Sequence, residues 1–122
     1  MSYIDGFVIA VPAANKQKFV AHARQFDPIF IELGAIRVIE ARGGDVPDGK
    51  CTDFRRAVQA TPEETVAFSW IEWPDKATRD ASVKKIMEDP RMDPSTSGNP
   101  PMPFDGKRMI FGGFETVVEV KA

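Results

Sequence analysis

The stretch FSWIEWPDKATRDA, residues 68–81, sets the fold, because a run of large apolar side chains stops abruptly at a proline. Side chains alternate along an extended chain, so Trp70 and Glu72 share one face of a strand while Trp73 lies on the other. Asp75 follows the proline, and aspartate is one of the residues that cap the first turn of a helix. The stretch therefore predicts a strand, a stop and a helix, with an acid beside a tryptophan on one face.

Apolar patterns on either side of this stretch predict further strands and helices. Pro28 is expected to kink or divide the first helix, because proline removes a main-chain donor. The element order is β-α-β-β-α-β, which is typical of an α+β, ferredoxin-like fold with a four-stranded antiparallel sheet and both helices on one face. The helices run from Asn15 to Gly34 and from Asp75 to about Glu88. Residues 52–60 fit either a short helix capped by Thr52 or a strand. The predicted strands are residues 3–11, 35–42, 64–73 and 107–120.

The composition indicates one soluble globular domain, residues 1–122. Hydrophobic residues make up 43% of the chain and charged residues 28%. A chain of 122 residues is long enough to bury a core without disulfides or metal ions to hold it together. The net charge is −2 and no basic block is present. Binding to nucleic acid by neutralisation of phosphates is therefore not expected.

Histidine and cysteine are scarce. His22 and Cys51 are the only residues of their types, whereas a zinc site usually needs three or four such ligands, so we expect no metal and no cofactor. The apolar N-terminal segment lacks a positively charged start, carries Asp5 and is shorter than the roughly 20 residues of a membrane span. We expect an unprocessed cytoplasmic protein that does not enter a membrane.

The second face of the predicted sheet needs a cover, because two helices can cover only one face. Burying one large apolar side chain is worth roughly 1.5–3 kcal/mol, so several together favour a partner, and the simplest partner is a second copy packed sheet to sheet. Charged residues in the same rows either line that interface or reach solvent at strand ends. The side chains expected there are the apolar Phe7, Ile9, Val38, Phe68, Trp70, Met109 and Phe111, and the charged Asp5, Glu40, Arg42, Glu72 and Glu115.

Four segments carry a resemblance to a known family. They are VPAANK (residues 11–16), VPDGKCTDFRRAV (46–58), FSWIEWPDKATRDA (68–81) and MPFDGKRMIFGGFE (102–115). Together they resemble the YbaA-like family of small bacterial proteins, a family of unknown function. The resemblance implies membership of the dimeric α/β-barrel superfamily, but it implies no reaction, cofactor or catalytic residue.

That superfamily includes cofactor-independent monooxygenases, haem-degrading enzymes, isomerases and stress-response proteins, and a shared fold does not select among them. Their chemistry commonly takes place in a pocket between the sheet and the helices. The resemblance therefore directs attention to side chains that could line such a pocket.

Two residues are candidates for a catalytic role. His22 lies beside the apolar stripe of the first helix, where it could act as an acid, a base or a haem ligand, or else be a half-exposed surface residue. Asp80 lies beside apolar residues of the second long helix and is expected to point toward the sheet or a pocket mouth. A partly buried carboxylate there could act as a general base, and an ion pair with Lys84, Arg79 or Arg55 is the alternative.

Four residues are candidates for binding a ligand. Trp70 and Trp73 could stack a flat molecule, although tryptophans are more often part of a core or an interface. Glu72 could line the same site, and Arg55 could hold an anionic group unless it pairs with a neighbouring acid.

The sequence supports two functional hypotheses, and a purely structural or protein-interaction role is a third possibility. In the first, the protein is a homodimer that binds a small apolar or aromatic molecule without chemistry. In the second, it is a cofactor-independent enzyme, monooxygenase-like or isomerase-like, that acts on such a molecule.

Overall fold

A computed structural model, which describes all 122 residues, contains one antiparallel sheet of four strands in the order β2-β3-β1-β4. This arrangement confirms the predicted ferredoxin-like fold. Short 3-10 turns occupy Ala13–Asn15 and Pro90–Met92. The main elements are β1 (Tyr3–Pro12), α1 (Lys16–Glu32), β2 (Arg37–Arg42), α2 (Phe54–Ala57), β3 (Glu64–Trp73), α3 (Lys76–Glu88) and β4 (Ile110–Glu115).

Aspartate side chains cap the two later helices. Asp75 Oδ1 accepts a hydrogen bond from the Thr78 main-chain N–H at 2.7 Å, so the stretch that follows Trp73 starts α3 as predicted. The short helix α2 is capped by Asp53, whose Oδ1 accepts from the Arg56 N–H at 2.7 Å, rather than by Thr52.

The first long helix departs from the prediction at its start. Asn15 precedes α1 but makes no capping bond, because its amide donates to the Pro103 carbonyl at 2.9 Å instead. Pro28 lies inside α1 without dividing it. Its missing N–H leaves the carbonyl of Arg24 without its usual partner, and Arg24 is exposed, so water can satisfy that oxygen.

Helices α1 and α3 cover one face of the sheet, which we call the helix face. Its core contains Ile9, Ile71 and Trp73, packed by Phe19 and Phe30 of α1 and by Ile86 of α3. Phe68 and Trp70 lie on the uncovered face as predicted, but the prediction is wrong for the other five large side chains. Phe7, for example, pairs with Ser69 and with Phe111, so it lies on the helix face. The side chains that belong to the helix face are Phe7, Ile9, Val38, Met109 and Phe111.

The other side of the sheet, the open face, has no helix across most of its area. The segment around α2 covers one end of it, where Val58 is buried against Val8, Ala10 and Val66. Beyond that end, the open face includes Ile4, Val8, Phe68, Trp70, Ile110 and Phe114, which line a shallow depression of about 550 Å³.

Most of the charged strand residues also lie on a different side from the one predicted. The register pairs Tyr3 with Glu115 and Glu40 with Ser69, so these acids and Asp5 belong to the helix face. Arg42 lies opposite Ala67 and so also belongs to the helix face. Of the charged residues predicted for the open face, only Glu72 lies there, and its carboxylate accepts from Arg37 Nε at 2.7 Å.

The last strand is shorter than the predicted 107–120. β4 ends at Glu115 because its partner β1 begins at Tyr3, directly opposite. Beyond it, Val117, Val118 and Val120 are exposed. None of the helices is both long enough and apolar enough to cross a membrane.

Candidate functional site

A cavity of about 290 Å³ lies between α1, the helix face of the sheet and the long loop of residues 89–109. We call it the inner pocket. Aromatic and aliphatic side chains form most of its wall, and its polar side chains are His22, Asp27, Glu40, Ser69 and Asn99. The apolar wall includes Phe7 and Ile9 of β1, Phe19 and Phe26 of α1, and Phe104 and Met109 of the long loop.

Polar bonds hold the long loop over the inner pocket. At the start of the loop, Arg91 Nη1 donates to Glu32 of α1 at 2.8 Å. At its end, Arg108 binds both carboxylate oxygens of Glu64 at 2.6 and 2.7 Å. Since the side chain of Glu64 is almost completely buried, this bidentate pair fixes the end of the loop to β3.

A second cavity, of about 840 Å³, opens between α1 and the edge strand β2. We call it the outer groove. Asp27 and Glu40 line both the outer groove and the inner pocket. The two carboxyl groups therefore stand in the wall that separates the inner pocket from an opening to solvent.

The carboxyl pair is held by three elements. Asp27 lies on α1, and Glu40 lies on β2 directly opposite Ser69 of β3. The Ser69 hydroxyl, which is buried, donates to Glu40 Oε2 at 2.5 Å. The carboxyl groups of Asp27 and Glu40 lie close enough for a hydrogen bond between them, and such a bond requires one proton between them.

The shared proton belongs to Asp27. Burial in the apolar wall raises the pKa of Asp27 to about 8, and the negative charge and hydrogen bond of Glu40 act in the same direction. At neutral pH, Asp27 is therefore a neutral acid that donates to the Glu40 carboxylate. A neutral acid and a carboxylate side by side are the two partners that general acid–base catalysis needs.

His22 also lines the inner pocket, five residues before Asp27 on α1. Its ring lies 4.4 Å from the ring of Phe26, measured between centroids. Burial lowers the pKa of His22, and the charge of Glu40 opposes this shift only in part. His22 is therefore a neutral imidazole near pH 7, able to donate or accept one hydrogen bond at the pocket wall.

Asp80 lies outside the inner pocket. The prediction that it faces the sheet is wrong, because its carboxylate is exposed and pairs with Lys76 at 2.7 Å and with Arg79 at 3.0 Å. Hydrogen bonds from Lys76, and then from Arg79, lower the pKa of Asp80, which is the opposite of what a general base near neutral pH needs.

Trp73 and Arg55 make bonds within the fold. Trp73 is fully buried, and its indole N–H donates to Asp5 Oδ2 at 2.9 Å. Arg55 donates to the carbonyl oxygens of Thr61 and Glu64 at 2.8 and 3.0 Å, so it fixes the connection into β3.

Trp70 and Glu72 lie on the open face, on the opposite side of the sheet from the inner pocket. Trp70 Nε1 donates to Glu72 Oε1 at 3.2 Å. The pKa of Glu72 is lowered, and the hydrogen bond from Arg37 is the largest cause. The structure thus places His22 in the inner pocket and distributes the other five predicted site residues over the open face, the core, the α2 connection and the surface.

Asp27 and Glu40 were not among the predicted site residues, although the sequence holds a signal for one of them. Asp27 lies four residues after Ala23 and three before Phe30, so it interrupts the apolar stripe of α1 with a carboxyl group. Glu40 gives a weaker signal, since only the register of β2 against β3 reveals its serine partner. No group of three or more His, Cys, Asp or Glu side chains is placed to hold a metal ion.

The raised pKa of Asp27 predicts how stability depends on pH. In the unfolded chain Asp27 ionises near its ordinary value of 3.8, whereas in the folded protein it keeps its proton to about 8. The unfolded state therefore binds fewer protons across this interval, and Asp27 makes stability fall as pH rises from about 4 to about 8.

Asp27→Asn should remove this dependence, because asparagine stays neutral and can still donate to Glu40. Thermal unfolding followed by circular dichroism measures the melting temperatures of the wild type and of Asp27→Asn. The difference, variant minus wild type, should increase by about 5 °C or more between pH 5 and pH 8. If the melting temperatures of the two proteins changed with pH in parallel over this interval, Asp27 would ionise normally.

Comparisons with known proteins agree with the resemblance seen in the sequence. The chain is 53% identical over 119 residues to the uncharacterized protein YbaA of Escherichia coli strain K12, covering 98% of this chain and 99% of that protein. The match to YbaA of Shigella flexneri has the same extent.

A solved structure described as a dimeric ferredoxin-like protein from an uncultured marine organism shares the fold, with a TM-score of 0.59 over 98% of this chain and all of that one, at 12% identity. The family described as "Protein of unknown function (DUF1428)" matches residues 2–106. With this match and the 53% identity to YbaA, the chain belongs to the DUF1428 family.

Proposed function

We propose that the protein is a homodimer that binds a small apolar or aromatic molecule in the inner pocket. The proposal is carried by a largely apolar cavity whose wall contains a few polar side chains. Ligand sites in proteins have this composition, in which apolar surface supplies affinity and a few polar groups fix orientation.

The charges of the wall restrict the ligand. The titratable side chains that line the inner pocket are His22, Asp27 and Glu40, and no lysine or arginine is among its lining residues. An anionic ligand would meet the Glu40 carboxylate without a compensating cation, so the pocket selects against anions. A volume of about 290 Å³ is at the lower limit of drug-sized sites, which matches a molecule of one or two rings.

The homodimer is proposed from the open face. Phe68, Ile110 and Phe114 are 43–62% exposed there, and their depression has almost no polar wall. A contiguous apolar surface of this kind on a folded chain marks an interaction site, and a second copy would cover it with the same surface. The related fold from the marine organism is described as dimeric, which supports this choice of partner. We propose further that residues 1–122 act as one domain in the cytoplasm.

A panel of small neutral aromatic compounds tests the ligand site. In ¹H–¹⁵N correlation spectra, a binding compound should shift the amide signals around the inner pocket and raise the melting temperature. Ala23→Phe should abolish both effects, because Ala23 lines the inner pocket and a benzyl side chain would occupy the cavity. Ala21→Phe is the matched control, since Ala21 is exposed on the same helix.

Loss of binding in Ala23→Phe, with folded spectra and with binding retained in Ala21→Phe, is the expected result. The ligand site is refuted if no compound in the panel binds, or if binding survives in a folded Ala23→Phe variant.

A second candidate function is the isomerase-like enzyme. The carboxyl pair favours it over oxygenation, because an acid next to a carboxylate is equipped to move protons.

A further inference from the structure

The carboxyl pair is the feature of the inner pocket that ligand binding alone does not use. A purely apolar site gains nothing from a buried acid, because its hydrogen bond to Glu40 serves only to offset the cost of burying polar groups. The pair also contacts both cavities, so one side faces the ligand space and the other faces the outer groove. A proton at this position can reach either a bound molecule or solvent.

We propose that Glu40 and Asp27 catalyse proton transfer at the carbon next to a carbonyl group, in a small neutral aromatic ketone or aldehyde bound in the inner pocket. The proposal rests on the proposed ligand site and gives it a substrate class. It assigns Glu40 as the general base and Asp27 as the acid that donates to the carbonyl oxygen. A carboxylic acid kept neutral by an apolar site is an effective donor to a developing oxyanion.

The chemical step balances without an oxidant or a cofactor. The Glu40 carboxylate takes the proton from carbon, the C–H electron pair forms a C=C bond, and the C=O π electrons move to the oxygen. That oxygen takes the proton of Asp27, which gives the enol, a protonated Glu40 and an ionised Asp27. The hydrogen bond between the two carboxyl groups then lets the proton pass from Glu40 back to Asp27.

The charged groups around the carboxyl pair indicate that the substrate carries no charge. The long loop, β1 and β3 add no titratable side chain to the wall of either cavity. The cations stand only in the outer groove, so a negative charge on the substrate would be unpaired inside the pocket. The titratable and charged groups that line the two cavities are Lys16, His22, Arg24, Asp27 and Glu32 of α1, and Arg37, Glu40 and Arg42 of β2.

Ser69 is a positioning residue in this scheme. Its hydroxyl donates to Glu40 Oε2, which leaves the other carboxylate oxygen of Glu40 for the substrate proton or for Asp27. Because Ser69 sits on the central strand β3, it holds Glu40 against the pocket wall although β2 is an edge strand.

Hydrogen–deuterium exchange of phenylacetone in D₂O tests the proposal. Phenylacetone is neutral, has one aromatic ring and carries acidic protons next to its carbonyl group. Its binding to the wild type is measured first, by saturation-transfer NMR, and the loss of its benzylic proton signal is then followed with time. The wild type should accelerate exchange at least tenfold over Glu40→Gln, and Glu88→Gln, which changes an exposed acid at the end of α3, should match the wild type.

The pH profile adds a readout that a structural role would not change. Exchange by the wild type should fall above about pH 8, where Asp27 loses its proton, and Asp27→Asn should lack this decline at a lower overall rate. Binding of phenylacetone without protein-dependent exchange would overturn the catalytic proposal and leave the ligand site intact. Failure of phenylacetone and of the neutral aromatic panel to bind would overturn both.

Discussion

Replacing Trp70 by aspartate should convert the protein from a dimer into a monomer or drive it to aggregate. Trp70 lies in the open face, edge to face with Phe68 at 5.7 Å between ring centroids. Truncating a tryptophan at the centre of an interface typically costs about 2 kcal/mol or more, roughly a thirtyfold loss of affinity, and a buried aspartate adds a desolvation cost.

Sedimentation velocity at micromolar concentration measures this result directly. The wild type should sediment at about twice the chain mass of 13.5 kDa, and Trp70→Asp at the chain mass or as a polydisperse aggregate. Met87→Asp is the matched control, because Met87 is an equally apolar, 83% exposed residue on α3, away from the open face. A wild type that is monomeric at these concentrations, or a Trp70→Asp variant that remains dimeric, would contradict the proposed interface.

The other tryptophan should matter for folding instead. Trp73→Ala is expected to lower the free energy of unfolding by about 3–5 kcal/mol, because it removes the largest fully buried side chain and leaves a cavity beside Phe30. It also strips the Asp5 carboxylate of the indole N–H, so that Arg79 remains as its main partner.

Chemical denaturation gives the size of the effect. Trp73→Phe should fall between the wild type and Trp73→Ala, because it keeps much of the apolar volume but not the hydrogen bond to Asp5. A loss below about 1 kcal/mol for Trp73→Ala would mean that the core collapses around the missing ring, contrary to the packing described above.

Local patterns predicted the elements around β3 well, and they failed where two strands had to be compared. Alternation correctly separated Trp70 from Trp73 because that inference needs only one strand. It could not show that Phe7 shares a side with Ile71 rather than with Trp70, since this depends on the register between β1 and β3. The same missing register placed Asp5 and Glu40 on the wrong face.

The candidate site was harder to predict than the fold, because its two acids come from different elements. Asp27 and Glu40 are brought together by the packing of α1 over β2, and neither residue has a motif around it. Asp80 shows the reverse case. It had apolar neighbours in the sequence, but the rotation of α3 turns it toward Lys76, Arg79 and solvent.

The two proposed surfaces lie on opposite sides of one sheet. Ser69 and Trp70 are consecutive in β3, yet Ser69 supports the carboxyl pair and Trp70 belongs to the open face. A second copy on the open face would therefore not block the inner pocket, and binding at the pocket does not require contact with the partner.

Asp27 and Glu40 are expected to hold one proton between them in the wall of the inner pocket. The most direct test is ¹³C NMR titration of the side-chain carboxyl carbons, with Asp27→Asn to assign the Asp27 signal. The Asp27 carboxyl carbon should titrate near pH 8, and Glu40→Gln should lower this midpoint, since it removes the negative charge beside Asp27. An Asp27 signal that titrates near pH 4 in the folded wild type would contradict this expectation.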